Sequence, residues 1–397
     1  MHIGINAQLL SFGQNYRNGG VSRYIRYLLK ALSERPGEHT YTIFVNGLEV
    51  VEQLGVHHEQ MRFLSAPWPE ARPAARVSWE QLSLPTLIRR HQIEVLHSPV
   101  NVLPRWLPGA CASVVTLHDL AFLRFPEVLT RAKRMYHQTF TVHSLRQASL
   151  VIAVSESTKQ DAHELVGIPN ERIKTVYTCI DDRFSNVFEN NSVQAFRQQH
   201  GFSDGYIFFL GTLEPRKNVT TLLEAYAHLR QTYQRREKLV LAGGKGWLYE
   251  EIFARVRQLG LESEVIFPGF VADTEQALWY RASSAFVYPS LYEGFGIPVA
   301  EALACGVPTV TSTVSSLPEA GAGVALCVEP QDVPGLSEAM QRALTDEHYR
   351  NRCEQQAPAI AKKFSAQGMA EQTIAAYEQA VVLQAQRRRS HHPTFVH

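Results

Sequence analysis

Short apolar runs rich in β-branched residues alternate with amphipathic stretches along most of the chain. In the first half the apolar runs His2–Asn6, Tyr41–Asn46, Glu94–His97, Ser113–Leu117, Leu150–Val154 and Lys174–Cys179 read as strands. Between them, Val21–Ser33, Arg131–Gln147 and Glu156–Val166 carry helical spacing. Apolar strands joined by helices imply parallel sheets covered on both faces. The pattern breaks at Asp181–Asn191, whose polar doublets read as a linker. It restarts at Tyr206–Leu210, Leu239–Ala242, Val265–Phe267, Ala285–Tyr288 and Thr309–Thr311. The expected fold is α/β, with two doubly wound Rossmann-like domains. The expected boundaries are 1–185, 186–369 and a closing segment 370–397. In that segment Ala370–Arg389 reads as an amphipathic helix carrying Ile374, Tyr377, Ala380, Val381 and Leu383, and the tail Ser390–His397 reads as disordered.

Composition agrees with an ordinary globular protein of two domains. The chain has 397 residues, 45% hydrophobic and 19% charged, and a single core stops growing near this length. Its 39 Lys+Arg nearly cancel 38 Asp+Glu, for a net charge of +1. That balance argues against a general nucleic-acid binder. The five cysteines are odd in number and form no CxxC pair, which suits a reduced, cytoplasmic compartment. The opening residues lack a basic stretch followed by a long apolar one, so no leader segment is expected, and no run of about 18 apolar residues is present to span a membrane. The even total hides a local excess: residues 71–146 hold ten Lys+Arg and four Asp+Glu. Arg124, Arg131, Lys133, Arg134 and Arg146 cluster near a pattern with Tyr136 and Phe140 at i, i+4. Such a stretch fits either a solvated basic helix or contact with an anionic membrane or a lipid diphosphate.

In doubly wound folds, ligands bind beyond the carboxyl ends of the strands. Two such loops stand out. In Ala285–Thr311, a strand is followed by Glu293-Gly294-Phe295-Gly296 and a helix with Pro298 in its first turn, Glu301 within it and Gly306 after its end. The glycines admit a ligand close to the backbone, and a helix N-terminus favours an anion such as a diphosphate. In Tyr206–Leu223, a strand leads through Gly211 to Arg216 and Lys217, with Asn218 as the expected N-cap. Adjacent cations beside a helix start also suit a diphosphate. No P-loop, GxSxG, HExxH, completed GxGxxG, clustered Cys/His set or DxD triplet is present. No metal site or bound cofactor is therefore expected.

These residues carry a resemblance. Glu293 and Glu301 are similar to the E-x7-E motif of the retaining GT-B glycosyltransferases in the large bacterial glycosyl transferases group 1 family. Glu214-Pro215-Arg216-Lys217-Asn218 resembles its diphosphate motif, Asn18-Gly19-Gly20-Val21 its glycine loop, and His118-Asp119 its N-domain histidine position. The resemblance spans nearly the whole chain. It departs at Leu317–Leu326, where relatives often read PEVxGxAAL, so the loop near Glu319 is expected to differ.

The resemblance implies two Rossmann-like domains facing across an interdomain cleft, the first for the acceptor and the second for a nucleotide-sugar donor. It implies that Arg216 and Lys217 stabilise the leaving diphosphate without a metal. It gives Glu293 the donor sugar, with the Phe295 and Gly296 backbone nearby, and Glu301 the ribose. Gly20 would close on the phosphate, His118 would face the transferred sugar or the acceptor, and Gly269-Phe270-Val271 would meet the nucleobase. Because Glu301 is assigned to the ribose, Glu293 is the one carboxylate left beside the sugar. Double displacement of the glycosidase kind uses a second, so same-face substitution is the favoured course. GDP-mannose is the favoured donor, from the mannosyltransferase-like Leu117–Pro126, with UDP- and dTDP-sugars open. The acceptor would be a glycan or a lipid-linked molecule in polysaccharide biosynthesis, reached with peripheral contact at the inner membrane face. A nucleotide-sugar epimerase and a non-catalytic sugar-binding protein are the alternatives.

Overall fold

The computed structural model describes the chain except residues 13–19, 67–72, 126–134, 136, 186–189, 203–204 and 392–397. It forms two compact units, Met1–Cys179 with Ala366–His397, and Ile180–Ser365.

In the first unit seven parallel strands lie in the order β3-β2-β1-β4-β5-β6-β7. They are β1 His2–Asn6, β2 Thr40–Val45, β3 Met61–Ser65, β4 Val95–Ser98, β5 Ala112–Leu117, β6 Leu150–Ala153 and β7 Ile173–Thr175. The central strands β4, β5 and β6 are buried along their whole length. Leu96, Val115, Leu117, Val151 and Leu145 pack in the core with Phe44 and Leu84.

In the second unit six parallel strands lie in the order β10-β9-β8-β11-β12-β13. They are β8 Tyr206–Leu210, β9 Lys238–Ala242, β10 Val265–Gly269, β11 Ala285–Tyr288, β12 Thr309–Ser312 and β13 Leu326–Val328. Each order reverses once, between β1 and β4 and between β8 and β11. That reversal opens a crevice beyond the strand ends and is where ligands bind in such sheets.

The edge strands β3 and β13 are absent from the sequence-based expectation. β3 is interrupted by Arg62 and ends in Ser65, and β13 has only three residues, fewer than a strand pattern needs to be read. The expected linker is also partly packed. Asp182–Phe184 forms a 3₁₀ turn whose Phe184 is fully buried, edge-on to Tyr280 at 5.8 Å. Residues 186–189 lie outside the described part, and a helix begins at Asn190.

The last helix, Ala366–His391, is longer than expected and runs into the predicted tail. Met369, Ala370, Thr373, Ala376, Tyr377 and Ala380 form its buried face, at the three- and four-residue spacing of one helix stripe. Val381 lies off that face and is 37% exposed. The helix packs on helix Gly20–Glu34 and on β5 and β6. Beneath it, the Tyr377 hydroxyl meets His97 Nδ1 at 2.8 Å. Burial pushes the His97 imidazole down to about 3. A histidine held neutral in this way stabilises the fold fully above its ordinary value near 6.5, and the contribution fades as pH falls toward 3. The His97 ring resonance should accordingly show no titration between pH 5 and 8; a midpoint near 6.5 would contradict the buried neutral ring.

No described helix is long and apolar enough to cross a membrane. All five cysteines are free, and only Cys327 is exposed.

Candidate active site

The strand ends at the β8/β11 reversal carry a densely bonded cluster of charged residues. After β8 the chain turns at Gly211, and Pro215–Lys217 forms a 3₁₀ turn ahead of helix Val219–Tyr233. Asn218 stands at the expected helix start but makes no side-chain cap bond; its backbone is left-handed, with φ 57°. Its amide instead donates to the carbonyls of Pro289 (3.1 Å) and Pro330 (2.5 Å), and its carbonyl accepts from Thr221 (2.7 Å). Asparagine tolerates this backbone region. Here it ties the turn to the segments that follow β11 and β13.

That tie brings Arg216 and Lys217 onto the loop after β11. Lys217 Nζ donates to Glu293 Oε1 at 2.5 Å and to the Tyr288 hydroxyl at 2.8 Å. Arg216 Nη1 donates to Glu293 Oε2 at 3.2 Å and to the Tyr292 carbonyl at 2.7 Å. Its other guanidinium nitrogens reach Glu214 at 3.0 and 3.2 Å. The Tyr288 hydroxyl also donates to Glu293 Oε1, at 3.1 Å, and the Ser290 hydroxyl does so at 2.6 Å. The Glu293 backbone is held on both sides, its N–H by Ser315 and its carbonyl by the Ser316 hydroxyl.

Both members of the central pair are buried. Burial alone would push the Glu293 carboxyl up, but the Lys217 and Arg216 charges and the Lys217 and Ser290 bonds outweigh it and hold it down to about 2. Burial pulls the Lys217 ammonium down, opposed by the Glu293 carboxylate. With Glu293 ionised, a charged Lys217 is the state that its bonds favour.

The neighbouring loops are laced to the same edge. Gly211 donates to Ala242, Leu213 to Gly244, and Gly243 to Gly269. A Cβ on Gly243 would stand 2.0 Å from the Gly211 carbonyl oxygen, so glycine is required there. Beyond β10, Phe270 is 47% exposed while Val271 is buried. Gly296 has φ 95°, and a Cβ there would meet Leu317 at 2.8 Å. Phe295 is buried, its ring edge-on to Phe364 at 5.1 Å. Pro298 occupies the first turn of helix Ile297–Ala304 as expected, and Gly306 follows that helix in a left-handed conformation. Glu301 on this helix is fully buried and accepts from the Tyr280 hydroxyl at 3.0 Å. Its carboxylate is thus engaged inside the unit rather than presented to solvent.

In the first unit, His118 follows β5. Its Nε2 lies 2.8 Å from the Pro99 carbonyl, which can only accept, so Nε2 carries the proton. Its backbone N–H donates to Asn101. Burial pulls its imidazole below the ordinary value, against the Pro99 bond and the Asp119 charge. Gly20 opens helix Gly20–Glu34, and a Cβ there would meet nothing within 4 Å. Asn18 and Gly19 lie outside the described residues, as do Arg131, Lys133, Arg134 and Tyr136 of the basic pattern. Two other members are committed internally: Arg124 pairs with Asp161 at 2.5 Å, and Arg146 donates to the Val166 carbonyl. Among the described residues no group of three His, Cys, Asp or Glu side chains could hold a metal ion.

The structure therefore joins Arg216, Lys217 and Glu293 directly. It adds Tyr288, Ser290 and Ser315, which sequence reasoning missed, and bonds Arg216 to Glu214 of the same motif. Tyr288 reads as the last residue of an apolar strand run, and no motif marks the serines.

Two Rossmann-like units of this kind define a GT-B glycosyltransferase fold. The chain superposes on Anabaena HepE in complex with UDP and glucose with a TM-score of 0.71, at 18% identity, covering 95% of this chain and 99% of that one. WaaG, a glycosyltransferase involved in lipopolysaccharide biosynthesis, gives a TM-score of 0.70 at 18% identity, over 94% and 99% of the two chains.

Residues 192–359 match the family model described as glycosyl transferases group 1, and residues 18–184 match glycosyltransferase family 4. The chain is 32% identical to the O-antigen chain mannosyltransferase B of Escherichia coli over 291 residues, 73% of this chain and 76% of that relative. It is 27% identical to the serotype-specific mannosyltransferase WbdA of Escherichia coli over 402 residues, 92% of this chain but 46% of WbdA. This chain thus spans less than half of that longer relative. The protein belongs to the glycosyl transferases group 1 family and is a glycosyltransferase.

Proposed function

We propose that the protein transfers mannose from GDP-mannose, with retention of anomeric configuration, to a growing glycan or lipid-linked acceptor in polysaccharide biosynthesis. The observation that carries this reading is the Arg216–Lys217–Glu293 cluster at the β8/β11 reversal. The mannosyl donor is favoured by what the two Escherichia coli relatives are named for; the UDP seen with HepE keeps UDP-sugars as the competing donor class. We place the reaction in the cytoplasm, with the acceptor at the inner membrane face.

Breaking a glycosyl–phosphate bond leaves negative charge on the diphosphate and builds positive charge on the sugar. Arg216 would grip the diphosphate by its fork and Lys217 as a point charge, in a setting largely shielded from water. These fixed cations supply stabilisation that a divalent metal supplies elsewhere, so we propose a metal-independent reaction. Glu293, held ionised, would hydrogen-bond sugar hydroxyls and favour the developing cation. Phe270 would offer its exposed ring to the nucleobase, beside the Gly269 and Val271 backbone. Gly211 and Gly296 would let the backbone approach the diphosphate, and Glu301 would reach the ribose only after leaving Tyr280. In the first unit, Gly20 would sit toward the phosphate and His118 toward the transferred sugar or the acceptor. We propose same-face substitution. The acceptor hydroxyl forms the new bond to C1, the C1–O bond to the diphosphate breaks, and the hydroxyl proton passes to the departing phosphate oxygen.

Turnover across a panel of nucleotide sugars, with glycan, lipid-linked and no acceptor and with a chelator present, tests this reading. GDP-mannose should turn over best, unaffected by the chelator, and give an α-linked product. An epimerised nucleotide sugar without acceptor, or binding without turnover on any acceptor, would overturn it.

A further inference from the structure

A buried chain of hydrogen bonds connects the last helix of the molecule to the His118 loop. It begins at Tyr377, fully buried on helix Ala366–His391. The Tyr377 hydroxyl meets His97 Nδ1 at 2.8 Å, and His97 Nε2 meets the Thr116 hydroxyl at 2.8 Å. Thr116 in turn meets the Tyr24 hydroxyl at 3.1 Å. The Tyr24 ring stands edge-on to the His118 ring, with centroids 4.9 Å apart and planes at 88°. The chain therefore crosses the last helix, β4, β5 and the first helix, and ends at a ring assigned to the reaction. Tyr24 lies one turn after Gly20 on the same helix.

The bonding has a definite direction. A neutral imidazole has one N–H and one acceptor nitrogen. One of the Tyr377 and Thr116 hydroxyls must therefore donate to His97 while the other accepts from it. The orientation of each hydroxyl fixes the next, and the network strengthens as a unit. Apolar residues of similar size would fill this core without needing matched partners. His97, Thr116 and Tyr377 are all fully buried, and Tyr24 is 1% exposed, so solvent cannot replace a lost partner.

We propose that Tyr377 and His97, acting through Thr116 and Tyr24, are positioning residues that set the orientation of the His118 ring. They do not touch substrate. The proposal rests on the assignment of His118 to the transferred sugar or the acceptor. It makes the C-terminal helix part of the active-site support, and not only a cover for the sheet.

The test compares Tyr377→Phe, Thr116→Val and Thr116→Ser in the full-length protein. Each is assayed for turnover of GDP-mannose and by side-chain ¹⁵N spectra of the histidines, with the His118 resonances assigned from His118→Asn. Tyr377→Phe and Thr116→Val should lower kcat by about three- to tenfold, the worth of one internal hydrogen bond, with donor KM unchanged. Both should shift the His118 ring resonances. Thr116→Ser keeps the hydroxyl and should retain wild-type spectra and kcat. If either breaking variant folds with wild-type kcat and an unmoved His118 resonance, the proposal is overturned. Wild-type turnover in His118→Asn would overturn the assignment of His118 itself, while a shifted His118 resonance in Tyr377→Phe would still support the coupling.

Discussion

Lys217→Ala should reduce turnover by about 100- to 1000-fold, the range for removing one preorganised group that stabilises a developing anion. Lys217 Nζ sits in a largely enclosed slot between the Tyr288 hydroxyl and Glu293 Oε1. Its removal takes away one of the two cations that would face the diphosphate. It also takes the shortest partner, a charged one, from the buried Glu293 Oε1, which keeps the Tyr288 and Ser290 hydroxyls. Deleting one partner of a buried pair costs about 3–5 kcal/mol when nothing replaces it. Here Arg216, Ser290 and Tyr288 still contact Glu293, so the stability loss should fall toward the lower end. Lys217→Arg should not restore activity, because the planar fork does not fit a slot shaped for a compact ammonium. Steady-state kinetics together with thermal unfolding of the same preparations separates the two effects. Turnover near wild type in a folded Lys217→Ala protein would remove Lys217 from the reaction.

Glu293→Gln should separate binding from turnover. The Glu293 carboxylate pairs with both cations that the diphosphate would need. Donor binding must therefore exchange one anion for another at Arg216 and Lys217. Glutamine keeps the shape and gives up the charge, so the cations are no longer neutralised from within. GDP alone should then bind about tenfold more tightly, a gain of about 1.4 kcal/mol, while sugar transfer falls about 100-fold for want of the negative charge beside the sugar. The acid response should change as well. The Glu293 carboxyl is held down to about 2, below its ordinary 4.5. A depressed carboxyl contributes stability that is complete above about 4.5 and is lost as pH falls toward 2. The displacement corresponds to on the order of 3 kcal/mol, and Glu293→Gln should lack that part of the acid transition. Calorimetric titration with GDP and acid unfolding of the two proteins read these effects. Weaker GDP binding in Glu293→Gln would show that the carboxylate does not compete for the cations.

The readable part of the fold lies where burial is continuous. β1, β8 and β11 have the bounds expected from their apolar runs, because every residue there faces a covered sheet. The edge strand β3 escapes because it carries apolar residues on fewer positions, and β13 because three residues are too few to read as a strand. The polar segment after Cys179 misleads for a related reason: one aromatic, Phe184, anchors it against Tyr280.

At the site, Arg216, Lys217 and Glu293 are legible because their charges stand in glycine- and proline-bearing loops after strands. Their supports are not. Tyr288 and Ser290 take their meaning from where Lys217 and Glu293 end up in space, which sequence spacing does not encode. Asn218 is half legible: its place before a helix is visible, but its side chain bonds to carbonyls 71 and 112 residues away. Glu301 is legible by its spacing from Glu293, which fits a binding motif, but its burial against Tyr280 is not.

A crystal structure with GDP bound is the most direct test of the cation site. The diphosphate should lie within hydrogen-bond distance of both Arg216 and Lys217, with the Glu293 carboxylate turned away from at least one of them. A diphosphate seated elsewhere, leaving the Arg216–Glu293–Lys217 contacts intact, would contradict the assignment.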